Sequence, residues 1–155
     1  MISEATAEDF ESLLLGVAPR GLQLPDTPIA SVEVLQMLAD LAARVREAFS
    51  PAAWLVIEHD EVVGLCSVTS LPAGGVLDLG NGIAASRQGR GIAGRAIGDI
   101  VAWARKTAYV NALTADTSPA NMSSQRVLAR NGFNEVGERV DDEDGRLLCW
   151  RHALA

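Results

Sequence analysis

The sequence predicts an α/β (α+β) fold in which a mostly antiparallel sheet is combined with helices. Two stretches, 54–70 and 133–152, each contain a pair of β-rich runs joined by a short polar turn, which is typical of antiparallel hairpins. Segments before and after the first hairpin repeat apolar residues with the 3.6-residue period of a helix. The chain has 155 residues, about the length of one domain, so we expect a single domain over residues 1–155.

The first fifty residues are expected to be mainly helical. "TAEDFESLLLG" opens on Thr6, a suitable N-cap, and closes on Gly16. A stretch rich in proline and glycine follows and is predicted to contain a short strand at 22–24. The next segment, 31–49, has the pattern of an amphipathic helix. Its apolar stripe consists of Val34, Leu35, Leu38, Leu41, Ala42 and Val45.

A strand, a glycine-rich turn and a helix follow the first hairpin. "GGVLDLGNGIAAS" predicts a strand from Val76 to about Ala84, thinned by Gly80 and Gly82. Glycine inside a strand commonly marks a bulge or the close approach of a ligand. The segment "GIAGRAIGDIVAWARKTA" then has an apolar stripe at helical spacing. The turn between them therefore lies where a helix N-terminus can receive an anion.

That turn contains G-x-G-x-x-G at Gly89, Gly91 and Gly94, a string also found in dinucleotide-binding folds. Such folds open on a parallel βαβ unit and carry an acid about 20 residues after the glycines. Here an antiparallel hairpin precedes the turn, and Tyr109 and Val110 stand at the acidic position. We therefore interpret the turn as a phosphate cradle for another ligand, and Gly94 as a small residue where the helix packs on the sheet.

Composition excludes several classes of protein. The net charge of −7 argues against nucleic-acid binding through a basic face. The N-terminus lacks the features of a secretory signal, and no apolar run approaches the ~20 residues of a membrane span. Cys66 and Cys149 each lie in an apolar stretch and are expected to be buried thiols. The spacing of His and Cys matches no metal site. We expect a cytoplasmic protein that neither associates with a membrane nor binds a metal.

Positive charge is concentrated around the glycine-rich turn. Residues 79–115 contain one acid, Asp99, and five cationic residues: Arg87, Arg90, Arg95, Arg105 and Lys106. A local excess of positive charge beside such a turn favours a small anionic ligand. A solvated basic helix face would give the same pattern.

Two motifs resemble those of the GNAT acyltransferase superfamily. The string "QGRGIA", residues 88–93, is similar to the family's acyl-CoA pyrophosphate loop, Q/R-x-x-G-x-G/A. The stretch "SPANMSSQRVLARNGF", residues 118–133, resembles N-x-x-S-x-x-V-L-x-x-x-G-F of the branch that includes the RimJ/RimL-type protein acetyltransferases. We expect it to form a helix capped by Ser118 and ended at Asn131-Gly132. The resemblance covers about residues 54–152, and the first fifty residues match no family pattern.

The resemblance implies a mixed, mostly antiparallel twisted sheet with helices on both faces. It also implies acetyl-CoA as acyl donor, with the pantetheine arm between the strand before the turn and the next strand. A backbone N–H near Ile83 would be the oxyanion donor. The residues to which the resemblance assigns cofactor binding are Ile83, Ala84, Gln88, Gly89, Arg90, Gly91, Ile92, Ala93, Asn121 and Ser124.

The catalytic candidates are Asp78 and Ser124. Asp78 lies where many relatives have a glutamate that holds a water as base, although a solvent-facing acid would look the same. The family's usual acid is a tyrosine, and Leu128 occupies its position here. Ser124 inherits a role in positioning the sulfur, unless it is a surface serine. We interpret His59 as a surface residue and Tyr109 as a packing residue.

The predicted function is N-acetyltransfer from acetyl-CoA to a primary amine, either a protein N-terminus or a small molecule. The acidic remainder of the chain favours a cationic acceptor. The alternative is a CoA-binding sensor or degenerate domain without turnover, because the usual tyrosine is replaced. The expected partner is the amine substrate, without nucleic acid or membrane, and a homodimer is left open.

Overall fold

The computed structural model describes residues 1–154, which form a seven-stranded sheet and four α-helices. The helices are α1 (Ala7–Leu14), α2 (Val32–Arg46), α3 (Ile92–Arg105) and α4 (Met122–Arg130). The strands are β1 (Ile2–Glu4), β2 (Ala53–Glu58), β3 (Glu61–Val68), β4 (Val76–Ile83), β5 (Ala112–Thr117), β6 (Asn134–Asp141) and β7 (Gly145–Ala153).

The sheet is mixed and mostly antiparallel, as predicted. Its strand order is β1-β2-β3-β4-β5-β7-β6, and β4 and β5 form a parallel pair between antiparallel neighbours. Both predicted hairpins are present, β2–β3 around His59-Asp60 and β6–β7 around the turn that precedes Gly145. Because α3 connects β4 to β5, the parallel pair is a β-α-β crossover at the centre of the sheet.

Helices cover both faces of the sheet. Trp54 of β2 lies edge-on to Trp103 of α3, with ring centroids 5.3 Å apart. On the same face, His152 of β7 lies against Phe133, which follows α4. The alternate side chains of β2 and β3, such as those of Leu55 and Leu65, are fully buried on the opposite face. The two contacting helices α1 and α2 cover that part of the sheet.

Several elements differ from the sequence-based expectation. The first strand, β1, was not predicted, and it extends the sheet by pairing Ser3 with Leu55. The strand expected at 22–24 is reduced to a single bridge between Gln23 and Glu61. Helix α4 begins three residues later than expected, because its N-cap is Asn121 rather than Ser118. Its end at Asn131-Gly132 is as predicted, with Gly132 at φ +87°.

An ion pair between a buried carboxylate and an exposed arginine fixes the segment after α1. Asp9 is 3% exposed and completes a capping box with Thr6. The same carboxylate accepts hydrogen bonds from Nε and Nη2 of Arg20 at 3.0 and 2.7 Å. Burial alone raises the pKa of Asp9, but the Arg20 and Thr6 hydrogen bonds outweigh it and hold the pKa below 3.8. The folded protein therefore binds this proton less tightly than the unfolded chain does.

We expect Asp9→Asn to lower the free energy of unfolding at pH 7 by about 1–3 kcal/mol, because it removes the negative charge that accepts two hydrogen bonds from Arg20. The pair's contribution is complete above the unfolded pKa and is lost as pH falls through the lower folded pKa. The difference between variant and wild type should therefore shrink between about pH 5 and pH 2 in urea titrations. Asp142→Asn, an exposed acid in the β6–β7 turn, is the control. A pH-independent difference would contradict this account.

The cysteine prediction is confirmed for one residue and wrong for the other. Cys66 is fully buried, and burial raises the pKa of its thiol to about 12. Cys149 is half-buried rather than buried. Within residues 1–154, no helix is long and apolar enough to cross a membrane, and no group of His, Cys, Asp or Glu side chains is arranged to hold a metal.

Candidate active site

Strands β4 and β5 separate at the centre of the sheet. Their pairing runs from Val76↔Ala112 to Leu79↔Ala115 and stops there, although β4 continues to Ile83. Asp78 O accepts a hydrogen bond from Thr69 N, directly after β3, and Ala84 N donates to Val63 O of β3. Since successive residues of a strand direct their backbone groups to opposite sides, those of Asn81 and Ile83 point into the opening. An extended ligand in the opening can therefore hydrogen-bond the free edge of β4 as a neighbouring strand would.

A cavity of about 740 Å³ fills this opening and extends between α3 and α4. Its floor is apolar and is formed by side chains from both helices and both strands, namely Leu79, Ile97, Ala115 and Leu128. Its outer part is polar and includes Asn81, Gln88, Asp116, Ser118 and Ser124. A long ligand with one polar end and a thin arm fits this shape.

The N-terminus of α3 opens into the outer part of the cavity. Gly91 is the N-cap at φ +75°, without a capping side chain, and Gly89 has φ +78°. The first intrahelical acceptor is Gly91 O, which receives Arg95 N, so the N–H groups of residues 92–94 have no helical partner. Gln88 donates from Nε2 to Ile83 O at 3.0 Å and ties the turn to the end of β4. This geometry is a phosphate cradle.

Eight of the ten residues predicted to bind the cofactor line the cavity: Ile83, Gln88, Gly89, Gly91, Ile92, Ala93, Asn121 and Ser124. The other two, Ala84 and Arg90, do not line this cavity. Ala84 is fully buried, and Arg90 lies at a second, neighbouring depression. Gly94 also lines the cavity, and a Cβ there would have no atom within 4 Å, so its expected packing role is wrong.

Two of the arginines around the turn, Arg87 and Arg95, are ion-paired. Arg87 donates to both Glu61 oxygens, at 2.6 and 3.0 Å, and also contacts Asp26. Arg95 is bonded to Glu58 at 2.9 Å. The Arg87 hydrogen bonds hold the pKa of the Glu61 carboxyl below its ordinary value, so the pair is charged at neutral pH. The expected mobile positive charge around the turn is therefore largely neutralised for these two residues.

Two cationic side chains of α4 provide positive charge at the cavity instead. Arg126 and Arg130 of α4 line the cavity, are exposed, and make no salt bridge within the described chain. The sequence signal for them was available, because residues 126 and 130 are one helical turn apart on the second motif. Arg105 and Lys106 lie at the far end of α3 and cannot reach the turn.

Helix α4 contributes polar groups at its first turn. Asn121 Oδ1 accepts Ser124 N–H at 3.1 Å, so the asparagine caps the helix rather than projecting freely into the cavity. The Ser124 side chain is half-buried on the cavity wall. Leu128, where the family usually has tyrosine, is 5% exposed and forms part of the apolar floor.

The two catalytic candidates are not equivalent in position. Ser124 lines the cavity, but Asp78 does not appear among the residues within 1–154 that do. Asp78 lies on the other face of the sheet, half-buried. Its carboxylate accepts hydrogen bonds from the hydroxyls of Thr69 and Thr114 at 2.5 and 2.7 Å. The carboxylate is thus held by two hydroxyls and has no arginine partner within residues 1–154, and Asp78 is one residue from the cavity-lining Leu79.

A second acid, missed by sequence reasoning, stands at the opening. Asp116 lines the cavity and is bonded to Arg139 of β6 at 2.6 Å. On β7, Cys149 is the register partner of Asp116, and burial together with this carboxylate raises the pKa of its thiol. The alternation of Thr114 and Asp116 along β5 could have placed both on the face of Asp78.

Two further residue predictions are resolved. His59 is exposed at the β2–β3 turn with φ +50°, outside the 740 Å³ cavity, as expected of a surface residue. Tyr109 packs edge-on against Phe49 at 5.5 Å while 58% exposed.

The family match decides the identity of this arrangement. A family model described as "Acetyltransferase (GNAT) domain" matches residues 1–134. The chain belongs to the GNAT acetyltransferase family. The match includes the first fifty residues, in which no family pattern was recognised, and it stops where β6 begins. Among curated proteins, no sequence matches the chain significantly.

Solved structures share the GNAT fold over the whole chain. An acetyltransferase of the family from Streptococcus pneumoniae is 15% identical, with a TM-score of 0.70 and coverage of 100% of this chain and 99% of that one. A ribosomal-protein-alanine N-acetyltransferase from Brucella melitensis is 23% identical, with a TM-score of 0.69 and 99% coverage of both. The structure of AAC(6')-Ib with acetyl-CoA is 16% identical, with a TM-score of 0.69 and coverages of 99% and 92%.

Proposed function

We propose that this GNAT protein transfers the acetyl group of acetyl-CoA to a primary amine. The observation that carries the proposal is the separation of β4 from β5 directly in front of the uncapped N-terminus of α3. An extended thioester arm and a pyrophosphate would then be held by one continuous cavity. The acetyl-CoA in the AAC(6')-Ib structure supports this ligand class for the fold.

The residues present fit the donor. The backbone N–H groups of residues 92–94 would hold the pyrophosphate, since glycines at 89 and 91 leave room for close approach. Backbone groups of Asn81 and the N–H of Ile83 would pair with the amides of the arm, since Ile83 O is held by Gln88. The N–H of Ile83 or Asn81 would donate to the carbonyl oxygen as negative charge develops on it, because both groups face the opening and lack a β5 partner.

The attacking amine must be neutral, and we infer that Asp78 takes its proton through a water. The Asp78 carboxylate is fixed by two hydroxyls and lacks a cationic partner, whereas Asp116 is neutralised by Arg139. Both Arg139 contacts fall on Asp116 Oδ2, so that oxygen is already occupied by a guanidinium. A protein N-terminus, with a pKa near ~8, loses its proton more readily than lysine at ~10.4, so a weak base suffices for it.

The acceptor is proposed to be a cationic amine that approaches from the face of Asp78 and Asp116. Residues 142–144 at the exposed tip of the closing hairpin are all acidic. A spermidine N-acetyltransferase SpeG from Vibrio cholerae shares the fold at 13% identity, with a TM-score of 0.72 and coverages of 99% and 95%. The Brucella neighbour is a ribosomal-protein-alanine N-acetyltransferase. A protein N-terminus, as in the RimJ/RimL branch, is therefore also a proposed acceptor.

A panel of amines tests the proposal. Release of CoA from acetyl-CoA is followed with a thiol reagent in the presence of spermidine, an aminoglycoside and a peptide with N-terminal alanine, and the products are weighed by mass spectrometry. We expect release that depends on at least one acceptor and a product heavier by one acetyl group. Tight binding of acetyl-CoA without acceptor-dependent release of CoA would instead support the alternative, a CoA-binding sensor without turnover. That alternative arises because Leu128 stands where the family usually has tyrosine.

The cationic side chains on α4 give a further prediction. We expect Arg126→Ala and Arg130→Ala each to raise the Kd of acetyl-CoA about three- to tenfold and to reduce its dependence on salt, because each removes an unpaired charge from the cavity rim. Arg105→Ala removes an equally exposed charge at the far end of α3 and should change neither quantity. Calorimetry at two salt concentrations provides the comparison. An equal effect of all three substitutions would contradict the assignment.

A further inference from the structure

Thr117 is a buried hydroxyl at the point where β4 and β5 separate. It is the last residue of β5, two positions beyond Ala115, whose pair with Leu79 ends the contact between the two strands. Its side chain is 5% exposed, and it lines the 740 Å³ cavity. Thr117 therefore lies at the inner end of the opening, on the same face of the sheet as the apolar floor.

The hydroxyl of Thr117 has a hydrogen left to donate. Trp150 Nε1 donates to Thr117 Oγ1 at 3.0 Å, and an indole nitrogen can only donate, so the threonine oxygen is the acceptor. Within residues 1–154 no acceptor for the threonine hydrogen is found. Trp150 is itself 9% exposed, which restricts its ring. The indole thus occupies one side of the oxygen, and the hydroxyl hydrogen must point elsewhere.

A hydrogen-bond donor at Thr117 could stabilise the leaving sulfur, for which the other residues of the site provide no oriented donor. Acetyl transfer ends with a sulfur that leaves as an anion, and Leu128 supplies no donor where relatives usually have tyrosine. Ser124 is half-buried on the opposite wall, and no neighbouring side chain orients its hydroxyl within the described residues. Thr117 is more deeply buried, and the Trp150 hydrogen bond orients its hydroxyl. Less conformational entropy is therefore lost when this hydroxyl donates to a ligand.

We propose that the Thr117 hydroxyl donates a hydrogen bond to the sulfur of CoA, with Trp150 as its positioning residue. This inference rests on the proposed function. The nitrogen–carbon bond forms as the carbon–sulfur bond breaks, and the bonding pair of the latter stays on sulfur. The amine loses its proton to the water held by Asp78. Thr117 keeps its proton throughout, and the thiolate takes one from solvent after it leaves.

The difference in affinity between CoA and desulfo-CoA, which lacks the sulfur, isolates the contact between Thr117 and the sulfur from the other contacts of the ligand. At pH 9, above the ~8.5 of a free thiol pKa, we expect the wild-type protein to bind CoA about three- to tenfold more tightly than desulfo-CoA. In Thr117→Val, which keeps the shape and removes the hydroxyl, the ratio should fall to about 1. In Thr117→Ser it should be retained. The Kd of desulfo-CoA should be the same in all three proteins.

Each outcome decides the proposal. If Thr117→Val and wild type give the same ratio, Thr117 does not contact the sulfur and the inference is wrong. If neither ligand binds wild type, the proposed function itself fails. If Thr117→Val does not fold, Trp150→Phe provides the same comparison, because it removes the orienting N–H and should lower the ratio. As a second readout, Thr117→Val should lower kcat about tenfold at unchanged KM for acetyl-CoA, and serine should restore it.

Discussion

Gly91→Val is expected to abolish measurable binding of acetyl-CoA, with a loss of at least about 100-fold in affinity. Gly91 is the N-cap of α3 at φ +75°, and a Cβ there would lie 3.1 Å from Arg95 Nη1. A branched side chain at this point would cover the free N–H groups that form the phosphate cradle. It also strains the backbone by roughly 1–2 kcal/mol, since L-residues avoid this conformation.

Gly145→Val is the matched control for this variant. Gly145 has φ +73°, and a Cβ there would meet no atom within 4 Å, but it is the first residue of β7, away from the phosphate cradle. The two variants should therefore lose comparable stability in thermal unfolding while only Gly91→Val loses binding in calorimetry. Unchanged affinity in Gly91→Val would remove the assignment of this turn to the pyrophosphate.

Asp78→Asn is expected to lower kcat about 100-fold while the KM for acetyl-CoA stays within twofold. The amide keeps the size of the carboxylate but cannot take up a proton. The measurement is a set of steady-state rates between pH 5.5 and 9.5 with the best acceptor of the panel.

Asp116→Asn provides the comparison for this prediction. Its carboxylate is paired with Arg139 and lines the cavity, so we expect a higher KM for the acceptor and a much smaller change in kcat. The converse result, a large loss of kcat in Asp116→Asn with little change in Asp78→Asn, would transfer the role of base from β4 to β5.

Much of the fold was predictable because local patterns agreed with it. β-rich runs joined by short polar turns predicted both hairpins, and the helical stripe predicted α2 and α3. Strand β1 escaped prediction because its three residues carry too short a pattern and are held by pairing with β2. The start of α4 was misplaced since Ser118 and Asn121 are both good caps, and the choice depends on where the chain leaves β5.

The site was predictable where backbone chemistry leaves a signature in the sequence. Glycines at 89 and 91 indicated the cradle, and the structure shows their positive φ. Charge could not be assigned in the same way. Arg87 and Arg95 are close to the turn in sequence but bonded to Glu61 and Glu58 across the first hairpin, contacts that only the fold creates. Asp116 and Thr117 were missed for the same reason, because they reach the cavity only where β5 separates from β4.

Titration of the wild-type protein with acetyl-CoA and with NAD by calorimetry tests the central claim, that the opening between β4 and β5 is an acetyl-CoA site. We predict one acetyl-CoA bound per chain with a Kd in the micromolar range, and no heat of binding for NAD at the same concentration. Binding of NAD, or the absence of binding for acetyl-CoA, would contradict the claim.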